Sequence, residues 1–279
     1  MSTKIQSKHA PTGNVFDTGR LPPSDTAQSL AVWKNFIQKQ LPLLRTLETR
    51  SFSSVSDRQI VCLLEKRSPY LEFVMLNSRV MLGDDWGFQL VTSPALAHWA
   101  EEFTKVCSGV KIHPVLKTGV NVNKLKRRVD FWNQIAGEYL LMLDTESIIC
   151  HGGIDEFLEY DYVAALWRQE DVSPWCSFGS GISLRRKSVM IKICSECNTN
   201  PLLIPDESIF ISMMLRLQSD HYHLPDDLVA SHFAVERCYN NRPFALHKTW
   251  QFIQHKQLSE ILGTIEVADQ AVRNDMKLD

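Results

Sequence analysis

Glu138-Tyr-Leu-Leu-Met-Leu-Asp-Thr-Glu-Ser147 is the stretch that decides how this chain is read. Five apolar residues, Tyr139 to Leu143, lead into two carboxylates, Asp144 and Glu146, with one residue between them. An unbroken apolar run is the signature of a strand covered on both faces in a parallel sheet, and open α/β sheets bind ligands beyond the carboxyl ends of such strands. Two carboxylates on a rigid strand end can share a hard divalent cation and hold a diphosphate against it. An isolated D-x-E is more often a solvated strand end with a capping Asp, so the weight falls on what surrounds it.

Upstream, the chain alternates. Gln59-Ile-Val-Cys-Leu-Leu64 is a short apolar strand closed by Glu65-Lys66-Arg67. Ser68-Pro69 then predicts an N-cap and first helical turn, with Leu71, Val74, Met75, Ser78 and Leu82 on one face. Trp86-Gly-Phe-Gln-Leu-Val91 is a second strand, and Ser93-Pro94 opens a helix with Leu96, Trp99, Ala100, Phe103 and Val106 inward. A third strand is predicted over 110–115. A third helix carries Val122, Leu125, Val129, Trp132 and Ile135, with Gly137 suited to end it. The opening stretch is then the fourth strand. Such alternation implies right-handed βαβ units and a mainly parallel sheet, with the ends of strands one and four beside a crevice. Neither a GxGxxG fingerprint nor a GKS/T phosphate loop is present.

Ahead of this unit, residues 1–25 are rich in Ser, Thr, Pro and Gly and read as an arm. From Thr26, Leu30, Trp33, Phe36, Ile37, Leu41 and Leu44 recur at helical spacing, and Pro42 is expected to kink or end that helix. Downstream, Val163-Ala-Ala-Leu-Trp167 is a strand, and the segment 175–186 combines aromatics, glycines and paired arginines. Asp206-Glu207 opens a helix with Ile209, Phe210, Met213, Met214 and Leu217 on its apolar face. Acidic residues in a first turn also suit the helix dipole, so a structural role competes with a chemical one. A final amphipathic segment uses Leu258, Ile261, Leu262 and Ile265.

The 279 residues carry a formal charge of −2 and are 44% apolar, so no global charge points to nucleic acid as a partner. Lys124-Leu-Lys-Arg-Arg128, the one basic run, reads as a solvated helix face. No apolar stretch has the length of a membrane span and residues 1–10 lack a signal-peptide core, which together give an expectation of a cytoplasmic protein. Seven cysteines fit reduced thiols better than a disulfide framework, and Cys194-x-x-Cys197 lacks the second ligand pair of a zinc site.

Taken in order, Asp144-Thr-Glu146, Gly179-Ser-Gly181, Asp206-Glu207 and His247 resemble the DxD motif, glycine-containing loop, xED motif and late histidine of glycosyltransferases of the GT-A fold. The likeness runs over about 59–250. The motifs read D-x-E where the family has DxD, and Asp-Glu where it has Glu-Asp. Arg128 and Trp132 stand before Asp144 at the spacing of a donor-contacting Lys and its Trp in glycogenin-like enzymes. The wording of Trp86-Gly, Glu159-Tyr-Asp-Tyr-Val163, Ser183-Leu-Arg-Arg186 and His247-Lys-Thr-Trp250 is similar to a group of glycosyltransferase-like proteins found in microbes and large DNA viruses.

The resemblance implies a single catalytic α/β domain with a GT-A-like (Rossmann-like), mainly parallel twisted sheet flanked by helices. It divides the chain into an arm (1–25), a helix and linker (26–57), a nucleotide-sugar-binding half (58–150), an acceptor-binding catalytic half (151–250) and a C-terminal helix and tail (251–279). Mn²⁺ or Mg²⁺ held by Asp144, Glu146 and His247 would neutralise the leaving diphosphate. Glu65 and Arg67 would contact the nucleoside, with Arg128, Thr145 and Lys248 on the rest of the donor. Glu207 would act as base, giving inversion, and Asp206 would orient the acceptor. Trp175, Gly179, Gly181 and Trp250 would line the acceptor side. The implied partners are a nucleoside-diphosphate sugar, UDP-linked and with xylose as the first candidate, and a glycan hydroxyl. A non-catalytic nucleotide- or glycan-binding protein and a sugar nucleotidyltransferase are the alternatives.

Overall fold

The computed structural model describes residues 16–17, 21–47, 51–105, 107–114, 121–167, 178–196, 207–217 and 219–267. Its centre is a six-stranded sheet in the order β4-β3-β2-β5-β8-β7. These strands are β2 (Arg58–Leu64), β3 (Trp86–Thr92), β4 (Val110–His113), β5 (Tyr139–Leu143), β7 (Tyr162–Leu166) and β8 (Phe178–Arg186). β4, β3, β2 and β5 run parallel, whereas β8 is antiparallel to both β5 and β7. The first and fourth strands expected from the sequence are therefore direct neighbours, and both end at the same edge.

Alternation along β5 shows why the run is apolar throughout. Leu141 and Leu143 enter one core, with Trp33, Phe73 and Leu246. Leu140 and Met142 enter the other, with Trp132, Met190 and Phe210. Helices α1 (Pro23–Thr46), α2 (Leu71–Leu82), α3 (Pro94–Thr104) and α9 (His255–Gly263) contribute to the first core, and α5 (Val129–Gln134), α6 (Lys187–Glu196) and α7 (Glu207–Leu217) to the second. Each large apolar side chain moved from water into such a core contributes about 1.5–3 kcal/mol. The remaining helices are α4 (Val122–Leu125) and α8 (Asp227–Phe233).

A three-stranded sheet, β6-β11-β9, lies beyond the end of β5. It comprises β6 (Ser147–Ile149), β9 (Ala234–Val235) and β11 (Ala245–His247), and β11 pairs antiparallel with β6 so that His247 lies opposite Ser147. The chain thus leaves the main sheet at Leu143, turns through 144–146 and enters the small sheet, whose last strand returns His247 to that turn. A two-stranded pair, β1 (Phe16–Asp17) with β10 (Cys238–Tyr239), completes the strands.

Four local expectations are corrected. Pro42 does not end α1, which continues to Thr46. Trp33, Phe36 and Ile37 before it and Leu44 after it are all buried, and their packing outweighs the local cost of about 3 kcal/mol. α2 begins at Leu71, after a turn in which the Tyr70 N–H donates to Ser68 Oγ at 3.3 Å, so Ser68 is not its N-cap. The single helix expected over 122–135 is two short ones, α4 and α5, because Lys126 is drawn inward between them and the Trp132 indole N–H donates to its carbonyl at 2.8 Å. The glycine-containing segment is no loop: Gly179 and Gly181 lie within β8. Cys62, Cys107, Cys150, Cys194 and Cys238 are buried thiols outside any disulfide, and no described helix is long and apolar enough to cross a membrane.

Candidate active site

A cleft of about 730 Å³ opens at the carboxyl edge of the main sheet. The segment after β2 supplies Glu65, Lys66, Arg67 and Tyr70, and the end of β5 supplies Asp144, Thr145 and Glu146. Lys126, Trp167, Gly181, Glu236, His247 and Lys248 complete the chemically active lining. Of the residues expected at the site, Glu65, Arg67, Asp144, Thr145, Glu146, Gly181, His247 and Lys248 are brought together here.

Backbone bonds fix the acidic turn from both sides. Asp144 N–H donates to the Gly181 carbonyl at 3.0 Å, and Lys248 N–H donates to the Glu146 carbonyl at 3.2 Å. The side chains then form a chain of charges. Lys248 Nζ lies 2.6 Å from Asp144 Oδ2 and 3.1 Å from Glu146 Oε2. His247 Nε2 stands 3.4 Å from the same Asp144 oxygen, and its Nδ1 stands 3.3 Å from Glu236 Oε2. The Trp167 indole N–H donates to that Glu236 oxygen at 3.0 Å. The His247 side chain is 5% exposed, whereas Asp144 and Glu146 are 34% and 33% exposed, so the carboxylates face solvent and the ring does not.

Burial would lower the pKa of His247, but Glu236 and Asp144 together outweigh it and raise the ring to about 9, leaving an imidazolium at neutral pH. Burial likewise works to raise Asp144, and His247 and Lys248 override it and hold the carboxyl well below the usual range. The glycines of β8 make this possible. A Cβ on Gly181 would collide with the His247 ring, and one on Gly179 with the Glu236 carboxylate and the Trp167 indole. Both glycines thus permit a close approach of side chains beneath the site.

The expected metal does not fit this arrangement. The face shared by Asp144 and Glu146 is taken by an ammonium, and both nitrogens of His247 are turned to carboxylates. Among the described residues, no group of three or more His, Cys, Asp or Glu side chains is placed to hold a metal ion.

Three further expected site residues are not brought into the cleft lining. Glu207 is fully buried as the first residue of α7. One oxygen is bound by Arg185 Nη1, and the other accepts from Lys126 Nζ at 2.7 Å. Burial would raise its pKa, yet Arg185 and then Lys126 pull it down to about 2. A carboxylate with both oxygens committed to cations, lying outside the cleft lining, is not poised to take an acceptor proton. Arg128 caps α5 and pairs with Asp130 at 3.0 Å, with 65% of its side chain exposed and away from the cleft. The cleft cation of that segment is Lys126. Trp250 is buried edge-on against Trp33, ring centroids 4.7 Å apart, in the first core. Asp206 and Trp175 lie outside the described residues.

Sequence reasoning missed Lys126, Trp167, Glu236 and Arg185. Lys126 had a signal, since it stands six residues before the Trp132 that binds its carbonyl, but the surrounding basic run disguised it as a solvated face. Glu236 had none: it follows the two-residue strand β9, too short to show a periodicity.

The family described as "Protein of unknown function (DUF5672)" matches residues 110–247, a span that runs from β4 to the end of β11. No curated protein matches the chain in sequence. Among solved structures, the glycosyltransferase GlyE of Streptococcus pneumoniae TIGR4 is 12% identical over 80% of this chain and 64% of its own, with a TM-score of 0.49. This chain therefore spans less than two thirds of GlyE. Mouse xyloside xylosyltransferase 1 is 13% identical over 68% of this chain and 97% of its own, with a TM-score of 0.43. A 4-diphosphocytidyl-2C-methyl-D-erythritol synthase of Anaerococcus prevotii is 8% identical over 61% and 86%, with a TM-score of 0.40. The structure of this chain itself shows an α/β fold: a mainly parallel sheet flanked by helices, with an acidic strand end at its carboxyl edge.

Proposed function

We propose that the chain is a glycosyltransferase that moves a sugar from a nucleoside-diphosphate sugar, UDP-linked, to a hydroxyl of a glycan acceptor. One observation carries this reading. A single cleft at the carboxyl ends of β2 and β5 mixes cations, Lys66, Arg67, Lys126, His247 and Lys248, with carboxylates, Glu65, Asp144, Glu146 and Glu236. Such a mixture matches a ligand that carries both an anionic diphosphate and many hydroxyls.

Breaking the sugar to diphosphate bond builds negative charge on the leaving oxygen while the anomeric carbon becomes cationic. Lys248, oriented by Asp144 and Glu146, stabilises the first, with Arg67 adding charge. Glu65 and Tyr70 contact the nucleoside, and Thr145 lies between the two carboxylates on the donor side. Glu236 holds His247, and His247 holds Asp144 in place. Inversion through Glu207 is not part of the proposal, because that carboxylate is committed to Arg185 and Lys126. A pentose donor such as UDP-xylose is the first to try.

The test is a melting-temperature panel across UDP- and GDP-sugars. A ligand at a hundred times its Kd stabilises a fold by about 2.7 kcal/mol, which is readily visible. We expect a rise with at least one UDP-sugar and its loss in Asp144→Ala. No rise with any nucleotide overturns the reading. The committed state of Glu207 favours a second reading, a binding protein without turnover. Slow hydrolysis of the bound donor in the absence of acceptor decides for the enzyme.

A further inference from the structure

Asp144 and Glu146 leave β5 one residue apart, and both close on one cation. Lys248 Nζ is 2.6 Å from the first and 3.1 Å from the second. A divalent ion bridging the same two oxygens, Asp144 Oδ2 and Glu146 Oε2, would have to displace that ammonium. The expected third ligand also stands among carboxylates, with His247 Nε2 3.4 Å from Asp144 and Nδ1 3.3 Å from Glu236.

The backbone supports the same placement. Lys248 has φ 46° and ψ 28° and is the one non-glycine residue with positive φ among the described residues. That conformation favours glycine or asparagine and disfavours a long side chain. It is held by the bond from Lys248 N–H to the Glu146 carbonyl and by the Lys248 carbonyl accepting from Gln251 N–H at 3.0 Å. The turn that presents Nζ to the carboxylates is thus fixed to the acidic strand end itself. The Lys248 side chain remains 28% exposed, so the ammonium can meet a ligand without leaving its carboxylates.

We infer that Lys248 is the resident cation of this site and that the chain handles its diphosphate ligand without a divalent metal, an inference that rests on reading the cleft as a nucleoside-diphosphate site. The carboxylate pair positions the ammonium, and the ammonium meets the diphosphate.

Two readouts on the full chain test this separately. In the first, free Mn²⁺ is titrated into metal-stripped protein and followed by electron paramagnetic resonance. Wild type is expected to take up no Mn²⁺ at millimolar concentration, and Lys248→Met, which uncovers the carboxylates, to gain uptake that a further Asp144→Asn removes. Uptake by wild type that Asp144→Asn abolishes overturns the inference. In the second, UDP is added with EDTA or with Mn²⁺ and the melting temperature is read. The rise is expected to be equal in both, at least tenfold weaker in apparent affinity for Lys248→Met, and largely kept in Lys248→Arg. A rise that requires Mn²⁺ overturns the inference. Should UDP act on no variant in either condition, the proposed function falls, while the Mn²⁺ arm still decides whether Lys248 holds the metal's place. If Lys248→Met does not fold, the wild-type arms decide alone.

Discussion

The chain Lys248–Asp144–His247–Glu236 and the triad Lys126–Glu207–Arg185 are both clusters of opposite charge reaching the same cleft, and they differ in where their charges end. In the first, Asp144 and Glu146 are about a third exposed and share one ammonium between them. In the second, the carboxylate of Glu207 and the guanidinium of Arg185 are wholly buried, and each Glu207 oxygen has its own cation. Arg185 also lies over the Trp132 and Tyr162 rings, at 5.7 and 5.3 Å. Two carboxylates meeting solvent beside one cation can accept a ligand. A dry carboxylate with both oxygens taken can only hold the framework, here by fixing Lys126 at the cleft wall.

Breaking the dry cluster should produce the largest effect. Glu207→Gln leaves Arg185 without its counter-charge, and removing one partner of a buried ion pair costs about 3–5 kcal/mol. Urea denaturation at pH 7 measures it, and a loss below about 1 kcal/mol would place Glu207 in a wetter setting than its burial indicates. The acid limb gives the sign independently. The folded-state pKa of Glu207 is depressed from 4.5 to about 2, so its contribution is fully present above 4.5 and is lost as pH falls toward 2. Between those values the wild type should lose stability faster than Glu207→Gln, whose side chain does not titrate. Parallel slopes would contradict the pairing.

The same contrast explains what the sequence could and could not tell. The fold was legible because burial on both faces writes itself as apolar runs, so 59–64, 86–91 and 139–143 fall almost residue for residue on β2, β3 and β5. The acidic strand end was legible for the same reason, since a strand cannot continue its apolar run through Asp144 and Glu146. Glu207 read as chemistry because an acidic residue opening a helix looks alike whether it faces a substrate or an arginine buried 22 positions earlier. Its partners come from β8 and the α4 to α5 break, and only the assembled sheet brings them to it. Gly179 and Gly181 looked like a ligand loop because sequence records the missing side chain and not the ring that fills its place.

Gly181→Ala sharpens the comparison at the wet cluster. The new Cβ meets the His247 ring, so the ring or β8 must shift, and overpacking of this kind costs about 1–3 kcal/mol. The shift also moves His247 against Asp144, so the UDP-induced rise in melting temperature should shrink in the same variant. Lost stability with an unchanged UDP response would separate His247 from the ligand site.

The smallest effect is expected at Arg128, and it is informative because Lys126 lies only two residues away. Both belong to one basic run, yet Lys126 is buried at Glu207 whereas Arg128 is exposed and bonded to Asp130 at 3.0 Å. An exposed pair of this kind contributes less than about 1 kcal/mol, so Arg128→Ala should leave stability within about 0.5 kcal/mol of wild type. It should also leave the UDP response unchanged, since Arg128 does not line the cleft. Thermal melts with and without UDP measure both. A weakened UDP response at unchanged stability would return Arg128 to the donor site. An unchanged response leaves Lys126 as the cation of this run that lines the cleft, where burial against a carboxylate, and not membership in a basic run, holds it.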